Sequence, residues 1–389
     1  MSKMYNVYCS TTDWSPQIIV LNDVKYIFAG SKGGVLALME QHFGRSVNWI
    51  VCLLHCNELP LRHLLAKKDG KPKGPSAFPG TIGKSLKNCE TLPIISFQRI
   101  DADDILIDFD SLELSTDQKY LGQMYQAIRN GAVDDSLARR DPGNVSLARW
   151  LTIANRILRV YVSTNKPSDT LISLVEYIMK VYVPTWFDIK RDWAVEHGPR
   201  HLHNMIVRTR TLQDESSRTI VFERIQHNGF FFHPENMLLA MITDDSPTIR
   251  KLGWKRIQKA RSVRKSCGKD KRNKNVRMFQ IPKINFEAQR YHEAINWQGS
   301  SDAVEYDSPP MIKSLTSYEV EAWANEEAPE KYPLLKIPCH SQAVERHIKL
   351  VSDASLKSSS VEQRDGMIRA TIHSREKIPR FSSKKDYVV

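Results

Sequence analysis

From residue 115 onward, apolar side chains recur every three to four positions, and this spacing restricts what the chain can fold into more than any other feature of it. The stretch 115–131 (STDQKYLGQMYQAIRNG) opens on a Ser/Thr cap, carries an apolar stripe through Leu121, Met124, Tyr125 and Ile128, and stops at Gly131. In 146–162 (SLARWLTIANRILRVYV) the residues Ala154, Ile157, Leu158 and Tyr161 continue a packing face from Trp150. Stretches 168–183 and 234–243 repeat the pattern, so roughly 163–280 reads as an all-helical unit. A chain of 389 residues that is 41% hydrophobic can bury a sizeable core, in two or three packed units.

The front of the chain reads differently. Residues 17–23 (QIIVLND) form an apolar run closed by Asp23, 33–43 (GGVLALMEQHF) return to helical spacing, and 47–54 (VNWIVCLL) form a second apolar run. A helix is expected over 55–66 despite Pro60. Strand, helix, strand predicts an α/β arrangement. The Lys-, Gly- and Pro-rich 67–83 and the acidic 101–110 read as loops. The start of the sequence lacks the basic and apolar regions of a signal peptide, and no apolar run reaches about 18 residues. The six cysteines are scattered and read as buried thiols in a reducing compartment. No membrane span is expected, and the protein is expected to be intracellular.

The net charge of +12 is concentrated in one place. Residues 250–283 contain 14 Lys/Arg and one acid, Asp270, giving +13 and leaving the remainder at −1. Such a block marks a polyanion binder, nucleic acid first and an anionic membrane surface second. It begins at Ser246-Pro247, a cap followed by a first-turn proline, and Ile249, Leu252, Ile257, Ala260 and Val263 lie near one face. The prediction is a half-buried helix whose outer side offers Lys255, Arg256, Lys259, Arg261, Arg264 and Lys265 to phosphates, followed by a basic loop with Lys271 and Arg272. A linker is expected near 297–310 and further helix from 317.

Four short signals occur in a recognisable order: Asp23 closing an apolar strand, Cys52-Leu53-Leu54-His55 after the next strand, Arg149-Trp150 opening a helix, and Ile337-Pro338-Cys339-His340-Ser341 leading into Glu345-Arg346. This order resembles that of hAT-superfamily DNA transposases, and the Tyr332-Pro333-Leu334-Leu335 approach to the last signal fits the same family. The resemblance implies an α/β partial ribonuclease-H-like core over 1–162, a large all-α insertion with the basic DNA-binding segment over 163–296, and a linker and C-terminal dimerisation region over 297–389. It also implies that Arg149 and Trp150 act beside a flipped base, that Cys52 and His55 support the active site, and that 342–356 mediates self-association.

In that family three carboxylates hold two divalent ions about 4 Å apart for in-line transfer. The resemblance makes Asp23 the second acid and Glu345 the third, with Mg²⁺ or Mn²⁺ as the metal if the site is active. Only 22 residues precede Asp23, too few to build the opening strands of that core, and Asp13 lies too close to supply the first acid. The implied protein is therefore a nuclear or nucleo-cytoplasmic, DNA-binding, self-associating chain of transposon descent that does not cut DNA alone. An active or split transposase lacking its front, and an RNA-binding or scaffold protein, are the alternatives. On their own residues, Asp23 also suits a turn and Glu345 an exposed ion pair with Arg346 or Lys349. Trp150 equally suits a core anchor. Cys52, His55, Cys56 and His63 could be read as a zinc site, but their spacing is not that of a standard finger, and no resident cofactor is expected. His197, His201 and His203 include an i, i+4 pair interrupted by Gly198-Pro199.

Overall fold

The computed structural model describes residues 18–21, 48–73, 77–103, 105, 107, 109, 112, 114–145, 150–266 and 282–297, with helical positions 363, 366, 367 and 370. The side chains of 18–21, 48–51, 235 and 260–266 are outside that description. Strands β1 (Ile18–Leu21) and β2 (Asn48–Val51) pair in parallel, with Ile18 opposite Asn48 and Leu21 opposite Val51. Among the described residues this two-stranded pair is the whole of the sheet.

The expected α/β ribonuclease-H-like core over 1–162 is thereby corrected. After β2, the described residues up to 162 are helical or irregular, and a parallel sheet needs more than two four-residue strands to make a layer covered on both faces. The apolar run 47–54 misled because a run this short is compatible with either period. Its first half is β2, and its second half already belongs to a helix, α1 (Leu53–Lys68). Helix α1 contains Pro60, which removes one backbone bond at about 3 kcal/mol. Fully burying Leu53, Leu61, Leu64 and Leu65 contributes about 1.5–3 kcal/mol each, so packing outweighs the break. The carboxylate of Asp69, just past α1, accepts the amides of Ile82 and Gly83 at 3.0 and 2.6 Å and fixes the start of the short α2 (Thr81–Ser85).

Helix α3 (Thr116–Asn130) ends as its sequence predicts. Ser115 and Gln118 form a capping box, and Gly131 closes the helix at φ +79°, a conformation only glycine adopts without cost. After the four-residue α4 (Asp135–Ala138) comes α5 (Trp150–Tyr161), which is buried at every position. A helix enclosed on all sides must find partners for its polar groups. Arg156 donates to the Leu86 carbonyl at 2.7 Å and to Glu90 at 3.0 Å, and also reaches Asp141 and the Gly143 carbonyl. Arg159 donates to the carbonyls of Ala138 and Leu92. The two guanidinium groups therefore tie the irregular segments around 86–92 and 138–143 to the helix.

The next helical rod is α6 (Asp169–Tyr177), one π turn (Ile178–Tyr182) and α7 (Val183–Arg191). Pro184 accounts for the wide turn, since its ring would clash with the carbonyl four residues earlier and it has no N–H to donate. Helices α8 (Gly198–Arg210), α9 (Glu215–Asn228), α10 (Pro234–Ile242) and α11 (Pro247–Ser266) complete the series. One apolar core runs from Leu53 to Ile295 and includes residues of every helix from α1 to α11. Residues 282–297, whose last position opens the expected linker, pack onto the helices: Phe286 stacks on Phe222 of α9, and Arg210 of α8 donates to the carbonyls of Phe286 and Ala288. Among the described residues no helix is long and apolar enough to cross a membrane.

Candidate nucleic-acid interface

Helix α11 carries the densest charge in the sequence, and the turn before it fixes its direction. The Asp244 carboxylate accepts the Ser246 amide at 2.9 Å and the Tyr291 hydroxyl at 2.8 Å, and lies 3.4 Å from the Arg200 guanidinium. Burial pushes the Tyr291 phenol well above its ordinary range, and the neighbouring Asp244 charge adds to this, so the hydroxyl stays a donor. Gly253 lets α11 approach α10 closely, because a Cβ there would stand 2.9 Å from the Met241 Cβ. Trp254 and Ile257 fill the same inner face.

The cations of α11 divide between the two faces. Lys251, Lys255 and Lys259 recur every fourth residue and are exposed. Arg250 is only 1% exposed and donates to the carbonyls of Asp244 and Asp245 at 2.6 and 2.8 Å. Arg256 is half-buried, its guanidinium 3.9 Å from the centroid of the Trp297 ring and 3.3 Å from the Met241 sulfur. The indole of Trp297 in turn donates to the His292 carbonyl at 2.8 Å. Thus Arg256, read from sequence as a phosphate contact, is engaged in holding the 282–297 segment against α11. The signal for Arg250 was present in its spacing, since it lies four residues before Trp254 and seven before Ile257 on the inner face. Trp297 gave no such signal because its contact is distant in sequence.

Other expected residues fall as follows. Arg261, Arg264 and Lys265 lie within α11, but their side chains are outside the description, and Lys271, Arg272, Arg149, Asp23, Glu345 and the helix expected at 342–356 lie outside the described residues. Trp150 is 2% exposed and meets Phe78 edge-on with ring centroids 6.5 Å apart, so its ring is part of the core. Cys52 and Cys56 are buried, and burial pushes the Cys56 thiol well above its ordinary range. His55 stands 3.6 Å from Glu58. His201 and His203 each give a ring nitrogen to a backbone carbonyl, of Asp192 at 2.7 Å and Ala288 at 3.0 Å. Among the described residues no three His, Cys, Asp or Glu side chains could hold a metal ion together. The chain matches no protein-family model, no curated protein and no solved structure.

Proposed function

We propose that the protein binds nucleic acid through the outer face of α11, by phosphate contact, and without a catalytic step of its own. The observation that carries this reading is the exposed row Lys251, Lys255 and Lys259, spaced one helical turn apart on a helix whose inner face is packed. Residues four apart on a helix rise about 6 Å along its axis, a repeat that suits successive phosphates of one strand. The cations that follow in the sequence, Arg261, Arg264, Lys265, Lys271 and Arg272, extend the same charge. Kinship to the hAT transposases is supported by the order of the short motifs alone. Self-association through 342–356 belongs to that kinship, and sedimentation of the full chain at rising concentration tests it.

The binding reading is tested with Lys251→Gln, Lys255→Gln and Lys259→Gln together. For duplex DNA the slope of log affinity against log salt should flatten by about 0.9 for each lysine that meets a phosphate. Unchanged affinity and slope would overturn the assignment. Tighter binding to RNA than to duplex DNA at matched salt would move the protein to RNA recognition.

A further inference from the structure

Residues 282–297 are fastened to the helices unevenly along their length. At the front, the Gln226 side chain of α9 donates to the Pro282 carbonyl at 3.0 Å and accepts the Ile284 amide at 2.9 Å. Arg210 holds the Phe286 carbonyl at 2.6 Å, Phe222 stacks on the Phe286 ring, and the His203 ring meets the Ala288 carbonyl at 3.0 Å. In the middle, the Tyr291 hydroxyl donates to the Asp244 carboxylate at 2.8 Å and lies 3.1 Å from the Ala240 carbonyl.

The end of the segment is tied differently. The Asn285 amide donates to the Ala294 carbonyl and the Trp297 indole to the His292 carbonyl, each at 2.8 Å, and both bonds join the segment to itself. The Arg256 guanidinium of α11 joins this end to the helices, 3.9 Å from the centroid of the Trp297 ring. His292 beside it is 6% exposed, and neither of its ring nitrogens has a hydrogen-bond partner among the described residues. Burying such a ring costs free energy, so residues 292–297 are the weaker end.

Arg256 also stands at the edge of the lysine row. It follows Lys255 directly and lies three residues before Lys259, and residues three apart on a helix are neighbours on its surface. A ring face and the Met241 sulfur are weak acceptors for its N–H groups. Phosphate oxygens instead take a guanidinium in a charge-assisted, bidentate pair.

We propose that residues 292–297 form an autoinhibitory clasp on α11, in which Trp297 holds Arg256 back from the lysine row until a nucleic-acid phosphate seated on Lys255 and Lys259 draws the guanidinium out and undocks the ring. The clasp rests on the reading of α11 as a phosphate-binding face. Because ring and phosphate compete for one guanidinium, docking of this end and binding of the strand oppose each other by the same factor in both directions.

The experiment is fluorine NMR on the full chain carrying 5-fluorotryptophan, titrated with duplex DNA at fixed salt, with the Trp297 signal assigned through Trp297→Phe. As DNA saturates, the Trp297 signal should move to the position of a solvent-exposed indole while the signal of the buried Trp150 stays. Trp297→Ala should tighten DNA binding about three- to tenfold, the strength of a cation–π contact released. Arg256→Gln with Trp297→Ala should bind no more tightly than Arg256→Gln alone, since the gain passes through that one side chain. The clasp is overturned if Trp297 is unmoved at saturation, or if Trp297→Ala, shown folded by an unchanged urea midpoint, binds no more tightly than the parent. Should Trp297→Ala not fold, the Trp297 signal of the parent chain decides alone. An unmoved Trp297, with binding lost on changing Lys251, Lys255 and Lys259, removes the clasp and leaves the α11 reading standing. A parent chain that binds no duplex, or lysine variants that bind as tightly as the parent, removes both.

Discussion

Helices α5 and α11 both carry several cations, yet they put them to opposite use. In α5 the arginines at 156 and 159 are 5% and 1% exposed and spend their N–H groups on backbone carbonyls, Glu90 and Asp141. In α11 the two arginines whose side chains are described also turn inward, to carbonyls and to the Trp297 ring, while the lysines face water. A guanidinium spreads five donors over a plane and is less strongly hydrated than an ammonium, so it tolerates burial where several acceptors converge. Net charge along a sequence therefore overstates the charge available to a ligand, and the lysine row is the better guide to a binding face.

The comparison breaks most visibly at Arg156. Replacing it with Met leaves Glu90 and two carbonyls without their donor, and urea unfolding should show a loss of about 3–5 kcal/mol. Arg156→Lys should recover less than half of that, because one ammonium cannot serve every acceptor. A loss under about 1 kcal/mol would place the α5 arginines with ordinary surface charges.

Within α11 the two faces should separate cleanly. Trp254→Ala should cost about 3–5 kcal/mol in the same assay, whereas Lys255→Ala should stay within about 0.5 kcal/mol of the parent and weaken polyanion binding. Equal stability losses would mean that the outer face is packed.

A third, smaller effect concerns buried groups that are kept neutral. Burial holds His233 down to about 3, below the ordinary value near 6.5. Because the folded state disfavours the proton, the stability linked to His233 is fully present above pH 6.5 and is lost as pH falls toward 3. At pH 5 the loss from this residue should be about 2 kcal/mol relative to pH 7. His233→Gln should flatten that part of the pH–stability curve, and an unchanged curve would show that the ring is free to charge in the folded chain.

The helices were legible wherever a cap, a stripe and a stop agreed. Residues 115–131 carry all three, and the observed α3 ends where Gly131 says it must. The start of α11 was equally readable from Ser246-Pro247. The front of the chain was not, because 17–23 and 47–54 are short apolar runs without a decisive period, and the motif order borrowed a sheet that four-residue strands do not make. In the candidate interface, the lysine row follows from spacing alone. The inward turn of Arg256 does not, since it depends on Trp297, which lies 41 positions on (297 − 256) and arrives only through tertiary packing.

The π turn at Ile178–Tyr182 also sets the rotational phase of everything that follows it. Each residue of an α-helix advances the side chain by about 100°. The extra residue accommodated in that turn therefore decides which way Trp186, Phe187 and Ile189 point, and all three are buried. Deleting one residue from the turn would leave every contact partner in place while rotating α7 by more than a quarter revolution, bringing Asp188 and Lys190 toward positions now held by apolar groups. The wide turn thus works as a phase adjuster between two halves of one rod, and the length of this segment is constrained more tightly than its side chains are.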